Sequence, residues 1–141
     1  MLKQYTAIAK VKRQLLDQKE VALLEARKYV AECEENLASI REQINALELP
    51  QKGTYKELLH VKAIKEQLTR QKTYALEERD RAQNRANESL HHFNEARREF
   101  EKIQYLQESE YSKALKQLQK QEQSALDEVA LQLYVLQGGR T

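Results

Sequence analysis

Three histidines, one cysteine and 22 acidic residues are the groups here with chemistry to offer. The histidines are His60, His91 and His92. Adjacent residues point about 100° apart on a helix, and no Cys or carboxylate joins the His91–His92 pair at metal-ligand spacing. They read as solvated surface histidines, and no metal site is expected. Cys33 falls on an apolar periodic position, where a free thiol acts as a small hydrophobe. The carboxylates all sit in helical charge patterns, so no acid pair is set up for general acid–base work. There is no Gly-rich phosphate loop and no lysine placed after one. The residues therefore imply no catalytic, cofactor or metal site, and an interaction part instead of an enzyme. Three basic clusters remain: Lys10–Lys12–Arg13, Arg79–Arg81–Arg85 and Arg97–Arg98. They are either solvated helix flanks or docking points for an acidic surface.

The elements that carry these residues follow from where the breakers are. Thr54 to Gln137 contains neither Gly nor Pro, and neither does Met1 to Leu49. An interior Gly would cost a helix about 1 kcal/mol and a Pro about 3. The sequence predicts an all-α fold: a two-helix antiparallel coiled-coil hairpin with a longer, overhanging second helix. The prediction is a single unit over 1–141, with a helix over about 3–48, a turn over about 49–54 and a helix over about 55–136. Pro50 disfavours the helical region for Leu49, and Gly53 tolerates a positive φ. Thr54 with Glu57 three residues on makes a capping box for the second helix.

The first arm carries a heptad. Leu23, Val30, Leu37 and Ile44 fall seven apart, with Ala26, Cys33, Ile40 and Leu47 between them. Eight successive seam positions are apolar, the mark of a coiled coil. Upstream, Ile8, Val11 and Leu15 keep the three-four spacing out of phase with that series, which predicts a stutter near Gln18 and Lys19. In the second arm the seam candidates Ala75, Glu78, Ala82, Ala86 and Leu90 are small or polar. The seam strengthens at Phe93, Ala96, Phe100 and Ile103. Helical ion pairs such as Glu77–Arg81 add a few tenths of a kcal/mol each.

The arms differ in length. Folding about residue 51 sets Ile8 near residue 95 and uses up the first arm by about Phe100. Phe100 to Leu136 would then overhang by roughly 55 Å, with an apolar stripe that calls for a partner. The tip residues Leu47, Leu49, Tyr55, Leu58 and Leu59 form a second apolar cluster.

Composition narrows the partners. With 24 basic and 22 acidic residues, the net charge is +2. Nucleic acid as the main partner usually demands a basic face, and a basic membrane-surface helix is equally disfavoured. Mean hydropathy is −0.84. No stretch approaches the length of a membrane span, and the N-terminus has no apolar core of a secretory signal. One cysteine excludes an internal disulfide and points to a reducing compartment.

The stretch Tyr5–Leu16 (YTAIAKVKRQLL), the seam Ala22–Leu37, the post-turn Tyr55-Lys-Glu-Leu-Leu and the segment Ala96-Arg-Arg-Glu-Phe-Glu-Lys-Ile carry a resemblance over nearly the whole chain. They resemble the FliJ family of the flagellar type III export apparatus, to which the YscO-type proteins of injectisomes are similar. The resemblance implies a fold like the coiled coil of the rotary ATPase γ subunit and a cytoplasmic place beside the inner-membrane export machinery. It implies no enzyme activity and no cofactor. The implied partners are the export ATPase hexamer, the cytoplasmic domain of the export gate and export chaperones. Carried over by position, Ile8, Lys12, Leu15, Arg97, Phe100 and Ile103 would face the ATPase. Leu49, Tyr55, Leu58 and Leu59 would face the gate. The apolar stretch Leu126–Leu136 departs from the polar tails associated with the family.

Two other readings compete. A hairpin chaperone of the prefoldin type would grip clients with its tips, although such subunits need β-strands between the helices. A structural scaffold would dimerise through the overhang.

Overall fold

The computed structural model describes residues 2–48 and 53–138. Two helices hold all but four of the described residues: α1 over Leu2–Ala46 and α2 over Tyr55–Gly138. They pack as an antiparallel helical hairpin, the fold class the sequence predicts. The expected turn residues Leu49, Pro50, Gln51 and Lys52 lie outside the described residues. Thr54 stands at the N-cap position of α2, and its carbonyl accepts from the N–H groups of Glu57 at 3.1 Å and Leu58 at 3.3 Å. That places the start of α2 where the capping signal put it.

The chain divides into two compact units. Unit 1 comprises Met1–Gln14 with Arg97–Thr141, and unit 2 comprises Leu15–Ala96. In unit 2, Leu23, Cys33, Leu37 and Ile40 are buried, and Ala26, Val30, Ile44 and Leu47 are half-buried. All eight predicted seam positions are therefore buried or half-buried, the last of them, Leu47, just past the end of α1. Leu37, only 2% exposed, and Ile40 pack on Ala75, with Ile44 and Leu76 at their flanks. Ala82, at 1% exposure, and Ala86 continue the α2 side of the seam. Their small side chains let the helices approach closely.

The stutter does not occur. Leu16 is 7% exposed while Leu15 is 38% exposed. Working back from Leu23, the half-buried or buried positions are Lys19, Leu16, Lys12, Ala9 and Tyr5. They keep the three-four spacing of the Leu23 series without a break. Lys12 and Lys19 occupy seam positions because their four-carbon stems cover apolar surface while the ammonium reaches water. Ile8, Val11 and Leu15 lie one residue off this register and are exposed.

In unit 1 the pairing also lies further along than a fold about residue 51 implies. Gln107 Nε2 donates to Thr6 Oγ1 at 3.1 Å, and Leu2 lines a small cleft with Gln107 and Tyr111. The register is set by which seam side chains interlock, not by the midpoint of the turn. α1 thus covers α2 as far as Tyr111 instead of Phe100. Beyond it, every described residue is exposed through Gly138.

Candidate partner-binding surfaces

A polar contact crosses the seam in unit 2. Tyr29 Oη donates to Glu78 Oε1 at 2.7 Å. The Arg81 guanidinium donates to Glu78 Oε2 from Nε at 3.1 Å and from a terminal nitrogen at 2.9 Å. Arg81 thus turns to Glu78 and not to Glu77. The hydrogen bond from Tyr29, then that from Arg81, holds the Glu78 carboxyl below its usual range. The same bond to Glu78, with a lesser contribution from Cys33, pushes the Tyr29 hydroxyl up to about 12. Between Ala75 and Ala82 the seam buries little apolar surface, and a polar pair there fixes which residues stand opposite each other. The sequence marks Glu78 as a polar seam candidate but gives no sign of Tyr29 as its partner.

The histidine pair has a neighbour that spacing alone did not suggest. His91 Nε2 lies 2.9 Å from Glu95 Oε1, and His92 Nδ1 lies 3.9 Å from Glu95 Oε2. Glu95 is thus a helix-surface neighbour of both histidines. Among the described residues no three His, Cys, Asp or Glu side chains are arranged to hold a metal ion.

Unit 1 holds two basic clusters, and a residue of the first packs on Phe100, which follows the second. The Arg13 guanidinium carbon sits 5.5 Å from the centroid of the Phe100 ring, a cation–π distance. Arg13 ends the Lys10–Arg13 cluster, and Phe100 follows Arg97 and Arg98 by less than one helical turn. Of the residues expected to face an ATPase, Ile8 is exposed, and so is Arg97, whose Nε lies 3.8 Å from Glu101. Lys12, Phe100 and Ile103 are half-buried at seam positions, so they serve the hairpin first. Leu15 is exposed but belongs to unit 2.

Of the tip residues, Tyr55 is 75% exposed, and Leu58 and Leu59 are exposed as well. Leu49 lies outside the described residues. Leu58 lines an open groove of about 930 Å³ with Ile44, Leu47 and Val61, flanked by Lys62 and Lys65. Glu66 and Arg70 line it too, so the surface combines apolar anchors with a charged and polar rim, a pattern suited to a protein partner.

A family model described as the flagellar FliJ protein matches residues 2–139. The chain belongs to the FliJ family. No curated protein and no solved structure matches it. FliJ membership makes the chain a component of the flagellar export apparatus, within a family of structural and adaptor proteins. No helix among the described residues is long and apolar enough to cross a membrane. The FliJ match extends to the last turn of α2, so the apolar stretch Leu126–Leu136 lies inside the family's own span.

Proposed function

We propose that this chain is a non-enzymatic, cytoplasmic stalk and adaptor that promotes assembly and activity of the export ATPase ring and links it to the export gate. The stacking of Arg13 on Phe100 carries the reading, because it links the first basic cluster to the segment of α2 that bears Arg97 and Arg98, in the unit that also holds exposed Ile8. Basic and apolar residues together suit an acidic, partly apolar surface on a ring subunit. Ile8, Lys12, Leu15, Arg97, Phe100 and Ile103 face the ring. Tyr55, Leu58 and Leu59, with Leu49, face the gate.

The mechanism needs no bond to be made or broken. A single hairpin set among equivalent ring subunits touches them unequally. It binds one conformation of each subunit better than another and shifts their populations. Export chaperones are further partners of the same adaptor.

The test is ATP hydrolysis by the purified export ATPase from the same source, with and without this protein. Stimulation that falls on replacing exposed Ile8 with Asp and Arg97 with Glu supports the reading. Both residues lie outside the seam, so the hairpin should keep its helix content by circular dichroism. Unchanged hydrolysis at saturating wild-type protein would sink it.

A further inference from the structure

Within unit 1 the hairpin seam ends on the half-buried residues Phe100, Ile103, Gln107 and Glu110. The same three-four spacing carried onward lands on Ala114, Gln117, Gln121, Ser124 and Glu128, which are small or polar. Before Glu128 the exposed apolar residues lie off this line, at Leu115, Leu118 and, after an eight-residue step, Leu126; past Glu128 they lie on several faces, with Leu131 and Val135 on the seam line and Val129, Leu133 and Leu136 beside it. Leu115 stands one residue on from Ala114, about 100° around the helix. Between Tyr111 and Glu128 the uncovered part of α2 is therefore not an unpaired remainder of the seam. With the more broadly apolar end, it presents an exposed apolar stretch between three and four heptads long from Tyr111 to Leu136, about the length a coiled coil needs.

The charges along this segment separate by sign. Tyr111 to Gln121 contains Lys113, Lys116 and Lys120 and no acid. Glu122 to Gly138 contains Glu122, Asp127 and Glu128 and no base. A uniformly acidic or basic partner would match one half and repel the other. A second copy laid antiparallel brings Lys120 of each beside Glu128 of the other and keeps the lysines of the two copies apart. A parallel copy would set like charge on like, which costs affinity. Glu122 interrupts the stripe midway, as polar seam residues do where they fix register at some cost in stability.

We propose that two copies of this chain associate through antiparallel pairing of residues 111–138, in an isologous two-fold interface. The apolar stripe supplies the contact, and the split charge supplies the orientation. None of the residues assigned to the ATPase or the gate takes part, so the inference stands apart from the proposed function.

Sedimentation equilibrium of the intact chain tests it. The wild type should show a monomer–dimer equilibrium that weakens as salt screens the charged flanks, the Debye length falling to about 3 Å at 1 M. K113E/K116E/K120E makes the segment wholly acidic, and E122K/D127K/E128K makes it wholly basic. Each alone should dimerise roughly tenfold more weakly or worse, and an equimolar mixture should recover a heterodimer. L118E/V129E should abolish association while helix content persists. In a Cys33→Ser background, Leu118→Cys and Val129→Cys chains mixed together should form a disulfide that Leu118→Cys alone does not. A monomer up to roughly 100 µM, a range that captures weak dimers, overturns the proposal and leaves the stripe to a different protein. A disulfide in Leu118→Cys alone, or charge variants that dimerise like wild type, overturns it as well.

Discussion

Tyr29 and Glu78 share one hydrogen bond, and each sets the titration of the other. Glu78 is lowered from an ordinary 4.5, so its contribution to stability is present above that value and is lost as pH falls through its folded pKa. Tyr29 is raised from 10.0 to about 12, so its contribution is present below pH 10 and is lost as pH rises through about 12. The bond is thus intact over the broad range between. Spectrophotometric titration at the tyrosinate band should show one of the seven tyrosines ionising late, near pH 12. Tyr29→Phe should remove that late step and lower the thermal midpoint at neutral pH. Above pH 12 the two proteins should unfold at closer temperatures. If all the tyrosines of the wild type titrate together, the hydrogen bond is absent in solution.

At the scale of the helices, the seam of α1 tests how packing selects its residues. Leu15 and Leu16 are chemically identical neighbours, but only Leu16 faces α2. Leu16→Ala should cost about 2–5 kcal/mol, the usual range for a buried leucine. Leu15→Ala, at an exposed position, should stay within about 0.5 kcal/mol. Equal losses in chemical denaturation would restore the stutter and refute the continuous register. The seam from Leu23 to Leu47 was legible in the sequence because large apolar residues fill nearly every position. Upstream it was not, because Tyr5, Ala9, Lys12 and Lys19 do not look like seam residues, while Ile8, Val11 and Leu15 do. Hydropathy weights the whole side chain, but packing uses the lysine stem. The Tyr29–Glu78 bond was illegible for another reason: its partners stand 49 residues apart, and only the register of the hairpin brings them together. The contact of Arg13 with Phe100 was half-legible, since folding about residue 51 set Ile8 near residue 95 but did not foresee the stack.

At the scale of the whole molecule, the two proposed partner surfaces fall on different units. Ile8 and Arg97 belong to unit 1, and Tyr55, Leu58 and Leu59 belong to unit 2. Substitutions with no shared partners usually act additively, so the two functions should separate genetically. Tyr55→Ala with Leu58→Ala removes an exposed aromatic and a groove-lining anchor, the kind of residues that dominate protein interfaces. This pair should weaken binding to the export gate's cytoplasmic domain by roughly tenfold or more, equal to at least about 1.4 kcal/mol, yet leave stimulation of the ATPase intact. Ile8→Asp with Arg97→Glu should do the reverse. The decisive assay measures both properties on both variants, with circular dichroism to show that each remains helical. If either pair damages both functions in a folded protein, one surface serves both partners, and a linker acting between ring and gate is the wrong description. If the two effects segregate, a single chain holds two independent contacts, which an adaptor requires and a scaffold built only on self-association does not.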